Sequence, residues 1–220
     1  MERDMRFIPI DIPKFNFKQK VLDEFNPNTK FYWWSEEYIT EWDIKEILHD
    51  PPKMRNVHLE LQEHIEKYLP FDSITLCKLS RANIDVDAHV DDSYTSFKGP
   101  KDNCKLISEE YRQHQLKTEP CGYRILIEGD RTSLYLSDGE PDVINQKLIY
   151  GNKTYTKSCI IPETTDCFAL QSYGSMHGVN KTPGDDNRLL CFIIGWLNEE
   201  KHNELIKRSE ERFKDYVHYA

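Results

Sequence analysis

The 220 residues carry 29 basic and 38 acidic side chains, a formal charge of −9, with no run of Lys or Arg that could follow a phosphate backbone, which argues against a nucleic-acid partner. A hydrophobic fraction of 38% and a mean hydropathy of −0.72 are low, yet 12% aromatics supply enough apolar area for one packed core, and the length gives no reason to divide the chain. No stretch approaches the ~20 apolar residues of a membrane span, the start of the chain is too charged for a secretory signal, and the six cysteines form no CxxC pair, so the expectation is a cytoplasmic single domain with scattered buried thiols.

Residues 1–70 read as a mostly helical support. Ser35 followed by Glu36 and Glu37 has the form of an N-cap, and Tyr38, Ile39, Trp42, Ile47 and Leu48 continue a helix of about 13 residues. Pro51 and Pro52 open a second helix, whose Met54, Val57, Leu61, Ile65 and Tyr68 form one apolar stripe before Pro70 ends it. His58 and His64, six apart, do not share its face and read as surface or boundary residues.

From residue 72 to 197 the pattern is that of short strands. Segments 74–79 and 82–90 alternate, with a turn predicted at Ser80 and Arg81. Residues 92–120 form a polar insertion with one short helix beginning near Ser108, open to reading as a lid or as a solvated excursion. Strand signals resume at 123–128, 133–136, 147–150, 154–156, 166–171 and 189–197, with Gly151-Asn152 as a hairpin turn. Asn198 caps a final helix over 198–220 that carries Leu205, Ile206, Phe213 and Val217. Many short strands with regular turns predict a sandwich or barrel, mainly β with flanking helices.

Chemistry concentrates at two places. His89-Val90-Asp91 puts an imidazole and a carboxylate at i and i+2, which on an extended strand share one face and can reach one metal ion. These are two of the three ligands of a 2-His-1-carboxylate facial triad, a set that leaves positions open on Fe(II). His177, in Ser175-Met176-His177-Gly178-Val179-Asn180, supplies the third. Arg188 follows eleven positions later at the mouth of the apolar run Leu189-Leu190-Cys191-Phe192-Ile193-Ile194. Its fixed fork suits a carboxylate in two hydrogen bonds, as a Lys ammonium does not.

An HxD, a distant His and an Arg roughly ten residues further on resemble the Fe(II)/2-oxoglutarate-dependent oxygenase superfamily over approximately residues 74–196. The resemblance implies a double-stranded β-helix, or jelly-roll, core of the cupin-like kind. It further implies catalytic Fe(II) held by His89, Asp91 and His177, 2-oxoglutarate as co-substrate with its 5-carboxylate on Arg188, O2 as oxidant, and ascorbate as a candidate reductant. Superfamily halogenases lose the carboxylate that Asp91 retains, so hydroxylation is the implied outcome, on an amino acid or on a peptidyl Asp, Asn or Pro side chain.

The aspartyl/asparaginyl β-hydroxylase branch is similar at His177-Gly178-Val179-Asn180 before Arg188, and its strand arginine matches Arg124, a candidate second contact to 2-oxoglutarate. The chain departs from that branch in keeping Asp91 and in having Leu126 where a His often follows the arginine. A non-catalytic cupin-like binding module for a metal or small molecule, or an oxygenase acting on nucleic acid, stands as the alternative, since fold does not fix function. A calcium loop over 85–96 is rejected because Val90 and Ser96 occupy the positions that need Gly and a bidentate Glu. Nothing in the pattern bears on the oligomeric state.

Overall fold

A computed structural model of the chain describes residues 5–24, 32–33, 59–82, 85–89, 109–137, 142–144, 147–149, 156–171, 175–181 and 188–220. The strands in chain order are β1 (Met5–Pro9), β2 (Tyr32–Trp33), β3 (Phe71–Ala82), β4 (Val86–His89), β5 (Gly122–Glu128), β6 (Leu134–Ser137), β7 (Asp142–Ile144), β8 (Lys147–Ile149), β9 (Thr156–Ser158), β10 (Cys167–Leu170), β11 (His177–Val179), β12 (Arg188–Leu197) and β13 (His218–Tyr219). The helices are α1 (Lys18–Glu24), α2 (Leu59–Tyr68), α3 (Glu109–Lys117) and α4 (Glu199–Phe213).

The strands form a seven-stranded sheet of order β13-β1-β10-β5-β12-β3-β2 and a four-stranded sheet of order β4-β11-β6-β9, with β7 and β8 as a separate pair. Among the described residues all the ladders are antiparallel. Between β3 and β12 the chain passes repeatedly from one main sheet to the other: β3, β5, β10 and β12 lie in the larger, β4, β6, β9 and β11 in the smaller.

Strand alternation explains the two cores. On β12, Leu189, Cys191, Ile193 and Leu197 join a cluster with Leu61 and Ile65 of α2 and Leu205 of α4, so this outer face of the large sheet is covered by helices. Leu190 faces the other way, into a second cluster with Leu126, Phe168, Leu134 and Leu136 drawn from both sheets. A strand buried on both faces reads as a near-continuous apolar run, which is the pattern of residues 189–194. Each fully buried Leu or Ile here contributes roughly 1.5–3 kcal/mol.

Several expectations need correction. The turn at Ser80 and Arg81 is absent: β3 continues through them, with Ser80 opposite Leu190 and Arg81 opposite Leu189. The long strand β12 offers ladder partners to the end of β3, and that overrides local turn propensity. Among its described residues the N-terminal segment contributes the helices α1 and α2 and also the strand β1, which enters the large sheet between β10 and β13. The second predicted helix exists as α2 and buries Leu61 and Ile65, while its beginning at residues 51–58 and the helix expected from Ser35 lie outside the described residues. His64 is half-buried, its ring edge-on to Phe15 at 5.4 Å. The Gly151-Asn152 turn also lies outside the described residues. Strand β8 pairs with β7, and β9 with β6.

The end of the polar insertion is fixed in place. In α3, Tyr111 is buried and its hydroxyl donates to the Gly195 carbonyl at 3.2 Å, while the Leu197 amide donates to His114 Nε2 at 2.9 Å. These contacts sit at the far end of β12 from Arg188, ~23–30 Å away at about 3.3 Å per residue. Residues 92–108 lie outside the described residues. At the C-terminus, Asn198 caps α4 as expected, its side chain accepting from the Lys201 amide at 3.1 Å. No helix among the described residues is long and apolar enough to cross a membrane.

Candidate metal and anion site

Strand register sets the backbones of the two histidine positions side by side. His177 on β11 lies directly opposite His89 on β4, and opposite Leu136 of β6 on its other side. Directly opposed positions of an antiparallel pair place their Cβ atoms about 4.5–5.5 Å apart on one face. For His177 that face is the one between the sheets: Leu136 and Leu134 belong to the inter-sheet cluster, and Val179, two residues from His177, packs against it.

The register slips once nearby. Val179 pairs with Val86, so β4 advances three residues where β11 advances two. The extra residue makes a β-bulge, a device that re-aims side chains next to sites. Over the opposite face, the Tyr135 hydroxyl passes across Gly178 and donates to the Val86 carbonyl at 3.2 Å. Its ring packs with Ala88 and Met176. A Cβ on Gly178 would meet the Tyr135 hydroxyl and lie 2.6 Å from the Val86 carbonyl oxygen, so only glycine lets Tyr135 of β6 reach across β11 to β4.

His177 is 5% exposed, and its Nδ1 is 3.0 Å from the Ser175 carbonyl oxygen. A carbonyl only accepts, so Nδ1 bears the proton, and in the neutral ring Nε2 is the basic nitrogen. That is the tautomer a metal ligand needs, held by the kind of backbone contact that orients such ligands. His177 is thus set up as one ligand of a divalent metal ion. The backbone of His89 is described, whereas Asp91 lies outside the described residues. Among the described residues, no group of three His, Cys, Asp or Glu side chains comes together.

Arg188 begins β12 on the face of Leu190, toward the small sheet, and its Nη1 donates to Ser133 Oγ at 3.0 Å. Ser133 sits just before β6, where its carbonyl accepts from the Asn180 amide at 2.8 Å. From His177 to Asn180 is three register steps, ~10 Å at about 3.3 Å per residue. Burial, followed by the like charge of Arg124, lowers the Arg188 guanidinium from 12.5 to about 10, against a smaller opposing influence of Asp130. Gly129, at φ +106°, makes room for it: a Cβ there would stand 2.7 Å from the Arg188 Cα.

Arg124 is 7% exposed on β5, opposite Phe168 on one side and Phe192 on the other. Its guanidinium lies 5.0 Å from the Phe192 ring centre and donates to the Gly122 carbonyl at 3.0 Å. The predicted pair of arginines therefore shares the inter-sheet space, and an anion between the sheets would relieve their mutual repulsion. Sequence reading missed Gly129, Ser133, Tyr135 and Arg6. A Gly inside Glu128-Gly129-Asp130, and a lone Arg in the apolar Met5–Pro9 segment, were the available signals.

In comparison with known proteins, no family model matches this chain, and no curated protein sequence matches it significantly.

Proposed function

We propose that the protein is an Fe(II)- and 2-oxoglutarate-dependent oxygenase that hydroxylates an unactivated C–H bond of an amino acid or a peptidyl side chain. The observation that carries this reading is the register pair His89–His177: two histidine positions far apart in sequence stand directly opposite each other on neighbouring strands. The strand orders β3-β12-β5-β10 and β4-β11-β6-β9 in two antiparallel sheets support a core of the double-stranded β-helix kind.

In this reading His89, Asp91 and His177 hold the iron, Arg188 receives the 5-carboxylate of 2-oxoglutarate, and Arg124 is a second cation for the co-substrate. When bound, the iron and 2-oxoglutarate together supply the activation of O2. The protein contributes the rest. Ser175 fixes the His177 tautomer, Ser133 and Gly129 fix the Arg188 fork, and the apolar residues Leu126, Leu134, Leu136 and Leu190 exclude water between the two. The ~10 Å ladder spacing between His177 and the Ser133 level is of the order of a metal-bound five-carbon dicarboxylate with its anchoring hydrogen bond.

The test is conversion of 2-oxoglutarate to succinate by the Fe(II)-loaded protein, with ascorbate present, against a panel of amino acids, peptides and oligonucleotides. We expect turnover that depends on Fe(II) and is stimulated by one class in the panel. A protein that binds metal but not 2-oxoglutarate would instead be the non-catalytic binding module.

A further inference from the structure

We propose that Arg6 is a positioning residue for His177, acting through the Ser175 peptide group; the proposal rests on the metal-site reading above. Strand β1 pairs Met5 with Tyr219 but Phe7 with His218, so β1 advances two residues where β13 moves back one, and Arg6 is the extra residue of a β-bulge. Phe7 enters the inter-sheet cluster, whereas Met5 and Ile8 belong with the helix-covered one. The bulge frees Arg6 from that alternation and re-aims it.

It reaches the segment that leads into β11. Arg6 is 8% exposed; its Nε donates to Ser175 Oγ at 3.1 Å, and its Nη2 donates to the carbonyls of Ser137 at 2.9 Å and Met176 at 3.2 Å. The Met176 carbonyl also accepts from the Ser137 amide at 3.0 Å, so one guanidinium joins the end of β6 to the residue before His177. Ser175 is held from a second side by Gln171, whose side-chain oxygen accepts from Ser175 Oγ at 3.2 Å and whose carbonyl accepts from the Ser175 amide at 3.1 Å.

With the Ser175 hydroxyl and amide tied before it and the Met176 carbonyl held after it, the Ser175–Met176 peptide plane is fixed from both ends, and its Ser175 carbonyl is the acceptor for His177 Nδ1. The rigid planar fork of Arg can hold several acceptors in a fixed arrangement, whereas an ammonium can replace one contact at a time. Outer contacts of this kind set ring orientation and tautomer, and losing one lowers metal affinity about 10- to 100-fold.

The test uses the full chain with Arg6→Met, Arg6→Lys and Ser175→Ala, and two readouts. The first is the imidazole nitrogen NMR spectrum of the metal-free protein. We expect the Nδ1–H form of His177 in wild type, growth of the Nε2–H form in Arg6→Met, and a smaller change in Arg6→Lys and Ser175→Ala. The second is Mn(II) titration, where affinity falls about 10- to 100-fold in Arg6→Met and is partly recovered in Arg6→Lys. Wild-type tautomer and affinity in all folded variants would overturn the proposal; if Arg6→Met does not fold, Arg6→Lys and Ser175→Ala decide it on the same terms. A tautomer that responds to Arg6 in a chain that binds no Mn(II) would support the positioning of His177 while overturning the metal-site reading itself.

Discussion

Replacing Arg188 with Met separates a functional arginine from a structural one. The guanidinium is lowered from 12.5 to about 10, chiefly by burial and then by Arg124. At about 1.4 kcal/mol per pH unit, the charged form carries a penalty of ~2–3 kcal/mol in the ligand-free fold, allowing for its partial exposure. Because its folded pKa lies below its unfolded one, the penalty is fully present at every pH below about 10 and is relieved only as pH rises from there toward 12.5.

Met keeps most of the apolar stem and removes the charge, while giving up a charge-assisted hydrogen bond to Ser133 of about 1.5 kcal/mol. The net gain is ~1 kcal/mol. For a chain of this size that is a rise of about 2–4 °C in Tm. The same change leaves the dicarboxylate without its partner, at a cost of about 2–5 kcal/mol, so the affinity for 2-oxoglutarate should fall by tens to thousands of fold. Arg188→Lys should recover part of that affinity. The assays are thermal unfolding at pH 7 without ligand and calorimetric titration of 2-oxoglutarate into the Mn(II)-loaded protein without oxygen. A Tm several degrees below wild type, together with unchanged 2-oxoglutarate affinity, would refute the assignment and make Arg188 a structural residue.

Gly129→Ala should destabilise the fold by about 1–3 kcal/mol through its positive φ and should also weaken 2-oxoglutarate binding, since the new Cβ meets the Arg188 backbone at 2.7 Å; unfolding and the same calorimetric titration check both. Gly178→Ala should separate β4 from β11 and lower Mn(II) affinity at least as far as any loss of the Tyr135 hydroxyl, whereas Tyr135→Phe should cost only about 1 kcal/mol of stability. Acid should weaken the fold through His202, whose ring is fully buried against the Tyr123 hydroxyl at 2.9 Å and whose pKa burial lowers from 6.5 to about 4. Below pH 6.5 the unfolded chain takes up the proton first, so ~3 kcal/mol is lost by about pH 4, and His202→Gln should flatten the fall of Tm over that window.

How much of this was legible in the sequence depended on whether a signal was local. Residues 188–197 announced a strand buried on both faces, and His177 and Arg188 stood out as polar residues bounding apolar segments. The HxD spacing indicated a shared face for His89 and Asp91, but the meeting of His89 with His177 depends on the β4–β11 register and its bulge, which no local pattern encodes. Ser80 and Arg81 looked like a turn because their strand character comes from β12 and not from their own propensities. Strand β1 went unread for a related reason: Arg6 breaks the alternation as a bulge residue, and Pro9 closes the strand opposite Phe168. The contact between Arg6 and Ser175 spans 169 positions and becomes visible only when the two sheets are assembled.

The most direct measurement of the central claim is anaerobic titration of Mn(II) into the wild-type chain, His89→Ala and His177→Ala, each first shown to be folded. The wild type should bind one ion per chain. Each variant should lose binding at ordinary metal concentrations, because two remaining ligands hold such an ion weakly. Equal stoichiometry and affinity in all three proteins, or no binding by the wild type, would contradict the assignment of the His89–His177 pair as a metal site.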